Sequence, residues 1–251
     1  KLAHHHGKYI RLAHAEHVEG PYTVHAPGTL AASDAPGKKK HVASPDVHVF
    51  DDAGEIRMYF HAVGKGKKPY QDQGQMSYVA TSSDGIHFTA RARQLAPFYL
   101  RVFQHGGFFY GFAKDDNVGG LIVRSKDGLG TFERGPGIIP NFRHCALLVK
   151  GNTLLLFYTL VGEAPEKILL STIDLARDWR GWTPSPPVTV LAPEQPWEGS
   201  MLPVVPSWHG STGPANALRD PAILVDGGTT YLFYCVQGER GIALAKLVPG
   251  S

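Results

Sequence analysis

The chain has 251 residues, 25 basic and 22 acidic side chains and a net charge of +3. An apolar share of 43% excludes a disordered chain, and the scattered placement of the basic residues excludes a nucleic-acid-binding stripe. No apolar run reaches membrane-spanning length, so neither nucleic acid nor a membrane is an expected partner.

The chain opens with KLAHHHGKYIRL, which has neither the apolar stretch nor the cleavage site of a secretory leader. LAHHHG reads as the end of a native β-strand rather than a tag, and YIRLAHA and PYTVHAP read as the next two strands. Lys38 to Lys40, beside Gly37, read as a solvated loop. SPDVHVFDDAGEIRMYFHAVG then gives an apolar strand, a turn and an aromatic strand, and QMSYVATSSDGIHF adds a third strand and the start of a fourth over Phe88 to Arg91. The same order returns in FYLRVFQHGGFFYGFAKDD with GLIVRSKDGLGTF, in FRHCALLVKGNTLLLFYTLVG with KILLSTIDL, and in LRDPAILVDGGTTYLFYCVQG with GIALAKL. The turns Asp52-Ala-Gly54, His105-Gly-Gly107, Lys150-Gly-Asn152 and Asp226-Gly-Gly228 all offer residues that tolerate positive φ. A short helix is expected over Asp174 to Trp179, and Val188 to Leu191 reads as a fourth strand. Cys145 and Cys235 lack metal-ligand or disulfide spacing and read as small core residues.

A four-strand unit of about fifty residues, repeated around a ring, is the signature of a β-propeller. The expected fold is therefore all-β: a five-bladed β-propeller with blades of four antiparallel strands, forming a single domain over residues 1–251. LAHHHG aligns with the ends of the aromatic strands YFHAVG, FYTLVG and FYCVQG. The first blade is thus expected to be incomplete at its N-terminal side, lacking its own first strand.

The combination SPDVHVF…GEIRMYFHA, SSDGIHF and RDPAILVDGGTTYLFYCVQGERGIALAKL resembles the five-bladed propellers of glycoside hydrolase family 43 and its uncharacterised glycosyl-hydrolase-like relatives, over nearly the whole chain. The resemblance implies an active site at one mouth of a central channel, with a general base, a pKa modulator and a general acid projecting from innermost strands. At the aligned positions this chain carries Asp46, Tyr99, His144 and Asp220, with no glutamate among them. The family's mechanism does not carry over whole.

Residues of the first strands and of the second-to-third-strand loops are expected to converge on one funnel. The first strands and their approaches supply His41, Asp46, His48, Tyr99, Arg101, Arg143, His144, Arg219 and Asp220. The loops supply His5, His6, His61, Glu163, Glu166, Gln237, Glu239 and Arg240. The long loop Ala192 to Ala217 adds Trp197, Glu198, Trp208 and His209, and a flat aromatic there suits stacking on a sugar. A glycosidase needs an acid and a second carboxylate. Asp46 and Asp220 are the positional pair, Glu198 the candidate acid, and Glu163 and Glu239 its rivals. The expected substrate contacts are His5, His41, His48, His61, Tyr99, Arg101, Arg143, His144, Trp197, Arg219 and Glu239. The arginines point to an acidic sugar, since guanidinium binds carboxylate or sulfate bidentately. Asp46 and His48 are expected to face a solvent-filled axial channel. No cofactor is expected; a channel divalent cation near His144 is the minor alternative. The expected function is a glycoside hydrolase acting on an oligosaccharide. A polysaccharide lyase using tyrosine or histidine with arginine neutralisation, or a non-catalytic carbohydrate-binding propeller, are the alternatives.

Overall fold

The computed structural model describes residues 7–37, 41–64, 74–115, 119–210 and 213–248. His5 and His6, and the Lys38–Lys40 run, lie outside the described residues.

The fold is an all-β propeller of consecutive sheets. The first sheet pairs β1 (Tyr9–His14) with β2 (Thr23–Ala31). The second runs β3 (Val42–Phe50), β4 (Glu55–Val63), β5 (Gln75–Ser82) and β6 (Thr89–Ala90), with β7 (Ala96–Pro97) also paired to β5. The third contains β8 (Arg101–His105), β9 (Phe108–Asp115), β10 (Gly119–Ser125) and β11 (Glu133–Pro140). The fourth contains β12 (Phe142–Lys150), β13 (Thr153–Leu160), β14 (Ile168–Asp174) and β15 (Val188–Leu191). The fifth contains β16 (Arg219–Asp226), β17 (Thr229–Val236) and β18 (Gly241–Leu247).

Two expectations are corrected. Among the described residues four sheets have three or more strands, and β1–β2 is only a two-stranded ribbon, so the blade count is four rather than five. Most of LAHHHG, expected to end an aromatic strand, lies outside the described residues. The helix over Asp174 to Trp179 is absent. Asp174 ends β14, and a 3-10 turn over Trp179–Gly181 follows, its N-terminus capped by Asp178 accepting the Arg180 N–H at 3.0 Å.

The chain forms two compact units: Lys1–Asp116 with Val123–Arg134, and Asn117–Ile122 with Gly135–Ser251. In the first unit, Ile10, Leu30, Val42, Met58, Phe60 and Tyr78 belong to one buried cluster. In the second, Ala146, Phe157, Ile168, Leu218, Leu232 and Tyr234 do the same between the fourth and fifth sheets. Apolar burial at roughly 25 cal/mol per Å² drives both. The hairpin turns follow the expected chemistry: Gly54, Gly106, Gly107, Gly151, Gly227 and Gly228 all have positive φ. Two turns after third strands are closed identically. Asp84 Oδ1 accepts the N–H groups of Ile86 and His87, and Asp127 Oδ1 those of Leu129 and Gly130, at 2.8–2.9 Å.

One local feature recurs where the first strands begin. The register shifts between Ala43 and Asp46, between Phe142 and Cys145, and between Arg219 and Ala222. Close to these bulges lie residues in the left-handed region: Ser44 (φ 53), Asn141 (φ 56) and Asp220 (φ 48). Tyr99 (φ 57) marks the same place ahead of β8. A bulge re-aims the side chains beside it and costs backbone strain, and such strain gathers at functional sites.

Candidate active site

In the second unit the innermost polar residues come together around two centres. At the first, His144 Nδ1 lies 2.6 Å from an Asp220 carboxylate oxygen. The His144 side chain is 4% exposed and that of Asp220 is 30% exposed. Burial pushes the His144 pKa down, and the Arg143 charge adds to this, although Asp220 and Glu166 oppose both. A neutral imidazole then donates its Nδ1–H to Asp220. The Cys235 thiol also bonds to Asp220, and burial with that carboxylate pushes its pKa far up, so it stays a thiol.

The second centre is a charge hub on Glu166, which is fully buried. Its Oε1 pairs with Arg143 Nε at 2.8 Å and its Oε2 with Arg219 Nε at 2.7 Å, while Ser207 donates its hydroxyl to Oε2 at 2.5 Å. Arg143 also donates to the carbonyls of Ser207 and His209, and Arg219 to the Ser207 hydroxyl. Arg219 Nη1 reaches Glu239 at 3.2 Å, its longest contact of these. Both arginines, expected to grip an acidic substrate, are spent on internal carboxylates.

In the first unit, Asp46 faces His48, with Oδ2 3.0 Å from Nε2, and accepts the backbone N–H of Val102 at 2.7 Å. Burial alone would raise the Asp46 pKa; His48, Arg101 and the Val102 N–H outweigh it and hold the carboxyl below its ordinary range. Burial likewise opposes protonation of His48, and Asp46 outweighs it to raise the His48 pKa. The Asp46 and His48 side chains are 19% and 29% exposed, and His48 packs edge-on against Tyr59. Pro45, Val47 and Val49 are the exposed residues of β3, the two valines at 54% and 63%. The polar face is the inner one because its groups satisfy each other and β8. Arg101 donates to the Ser44 and Leu100 carbonyls. His41, His61 and Tyr99 form an aromatic group: the His61 ring lies 5.4 Å from His41 and 4.8 Å from Tyr99.

The pair sets a pH window for stability. The lowered Asp46 pKa contributes stability above its ordinary value of 3.8 that is lost as pH falls through the folded value. The raised His48 pKa contributes stability present below 6.5 that is lost as pH rises through its higher folded value. Urea unfolding is therefore expected to show a maximum between these limits, and His48→Gln to remove the alkaline limb; an unchanged limb overturns this.

Glu198 has a different job from the one expected. Its Oε2 accepts the N–H groups of Glu194 and Gln195 at 2.9 Å each, and its Oε1 accepts the Tyr234 hydroxyl at 2.9 Å. With both oxygens accepting, it clamps a 3-10 turn over Pro196–Glu198 rather than offering an acid's proton. Trp197 is 52% exposed on that turn. Glu163 pairs with Lys167 at 3.1 Å. Among the described residues no three His, Cys, Asp or Glu side chains are grouped to hold a metal.

No protein-family model matches the chain. "Uncharacterized protein R118" of Acanthamoeba polyphaga mimivirus is 35% identical over 271 aligned positions, covering 97% of this chain and 74% of that protein. The chain belongs to that viral protein's family. Solved structures share the family's fold at much lower identity. The GH43_1 enzyme of Xanthomonas citri complexed with xylotriose is 15% identical, with a TM-score of 0.66 over 96% of this chain and 78% of its own. CoXyl43, a GH43 β-xylosidase/α-arabinofuranosidase from a compost microbial metagenome, is 14% identical, with a TM-score of 0.64 over 96% of this chain and 80% of its own. A GH130 glycoside hydrolase that targets β-1,2 mannosidic linkages is 11% identical, with a TM-score of 0.67 over 95% of this chain and 75% of its own. These likenesses show a β-propeller fold for the chain.

Proposed function

We propose that the protein is a glycoside hydrolase acting on an oligosaccharide, with Asp220 as its working carboxylate. The observation that supports this most is the Asp220–His144 pair: a partly exposed aspartate at φ 48 on a bulged inner strand, oriented by a buried imidazole at 2.6 Å. Strain, a fixed orienting partner and access for a ligand are what a catalytic carboxylate needs. Asp46, held below its ordinary range, does not suit an acid's role.

A lyase would need an arginine to neutralise a uronate while a tyrosine or histidine removes the α-proton. Arg143 and Arg219 are committed to Glu166, and Arg101 to backbone carbonyls, which argues against that route. Product analysis tests the proposal: hydrolysis of a neutral xylo-oligosaccharide is expected to release reducing ends. An unsaturated, ultraviolet-absorbing product instead points to a lyase, and binding with no product points to a lectin; either result overturns the hydrolase reading.

A further inference from the structure

We propose that the loop leading into β16 forms a subsite that recognises one ring of a neutral sugar substrate. A cavity of about 270 Å³ lies in the second unit, lined by Ser207, Trp208, His209, Pro214, Asn216 and Arg219 among others. Drug-sized pockets span about 300–1,000 Å³, so this one suits a single ring.

Three observations define the ligand. Trp208 is 62% exposed, and its indole rests on Gly162, where an added Cβ would come within 2.7 Å of the ring. It is a fixed aromatic face of the kind that stacks on the C–H side of a sugar. Asn216 is 6% exposed; its Nδ2 donates to the Ser200 and Leu202 carbonyls, which orients the amide, and its Oδ1 has no hydrogen-bond partner among the described residues. A buried acceptor left unpaired is costly, and a sugar hydroxyl supplies the donor it lacks. The charges beneath the cavity cancel, since Arg143 and Arg219 are balanced by Glu166 and Glu239. A uronate would compete with those carboxylates and bring unbalanced negative charge, whereas a neutral ring disturbs nothing. The same network holds the loop still, because Arg143 grips the Ser207 and His209 carbonyls.

The choice of a sugar as ligand rests on the hydrolase reading; the neutrality and the residues do not. Titration calorimetry with methyl β-xyloside and methyl β-glucuronide tests the site on the full chain. The xyloside is expected to bind and the glucuronide to bind at least tenfold more weakly. Trp208→Ala is expected to weaken xyloside binding at least tenfold with an unchanged melting temperature, since Trp208 is exposed. Gly162→Ala, which displaces the indole and strains the backbone at φ 85, is expected to weaken it as well, with a lowered melting temperature. Equal or tighter glucuronide binding overturns the proposal, as does xyloside binding that neither variant changes, or no xyloside binding at all. The two readings fail separately. Turnover with a KM unchanged by Trp208→Ala overturns the cavity and leaves the hydrolase. Trp208-dependent binding without turnover overturns the hydrolase and leaves the cavity.

Discussion

Asp220→Asn lowers kcat on an oligosaccharide by about 10³-fold, in the range of losing a general base or acid, while the fold is retained. The substitution keeps the shape of the side chain, and an amide oxygen still accepts the His144 Nδ1–H, so the pair at 2.6 Å persists. It removes the negative charge that would activate water or stabilise the developing oxocarbenium ion. His144→Ala is expected to cost less, about tenfold, because His144 orients the carboxylate without touching substrate. The two effects should be less than additive, since both act through one group. The check is steady-state kinetics on the three variants alongside near-ultraviolet circular dichroism. Full activity in Asp220→Asn removes Asp220 from the chemistry.

Glu166→Gln destabilises the second unit by about 3–5 kcal/mol, the usual cost of breaking a buried ion pair from one side. Glu166 is fully buried and touches Arg143, Arg219 and Ser207 at once. Without its charge, two arginines that are 5% and 3% exposed are left with one carboxylate between them, Glu239 on Arg219. At this chain size the loss corresponds to a melting-temperature drop of roughly 10 °C. Adding Arg143→Met to Glu166→Gln is expected to recover part of it, because the excess positive charge is relieved. Thermal melts of the wild type, both single variants and the double variant measure this. A double variant as unstable as the sum of the singles shows that the hub is not coupled.

Much of the fold is legible in the sequence because strand and turn signals are local. The alternation in β3, the aromatic runs of β4, β13 and β17, and the glycine turns between first and second strands all depend on near neighbours, and each appears where its residues place it. The aligned pair His144 and Asp220 could be matched by repeat position alone, and the structure brings the two into contact. The Asp174 to Trp179 helix fails because Asp174, the last residue of β14, pairs in register with Thr153 of β13. Tertiary strand pairing there outweighs local helix preference.

The partners of charged groups were the illegible part. Arg143, Arg219 and Glu239 looked like substrate contacts, since a sequence does not show that Glu166, on the β13–β14 connection, sits between the arginines. The signal was present: two buried-strand arginines at matching repeat positions require an anion, and Glu166 was one of the glutamates in an adjoining loop. Glu198 beside Trp197 had the composition of a desolvated acid, and only the cap geometry shows its oxygens taken by Glu194, Gln195 and Tyr234. By itself the sequence determined an all-β repeat and the residues that line its inner strands, because periodicity and turn chemistry act over a few residues. The tertiary structure alone decided which of those residues are free to meet a ligand, because hydrogen bonds and ion pairs form between strands far apart in the chain, and a buried charge goes to whichever partner the packing brings within reach.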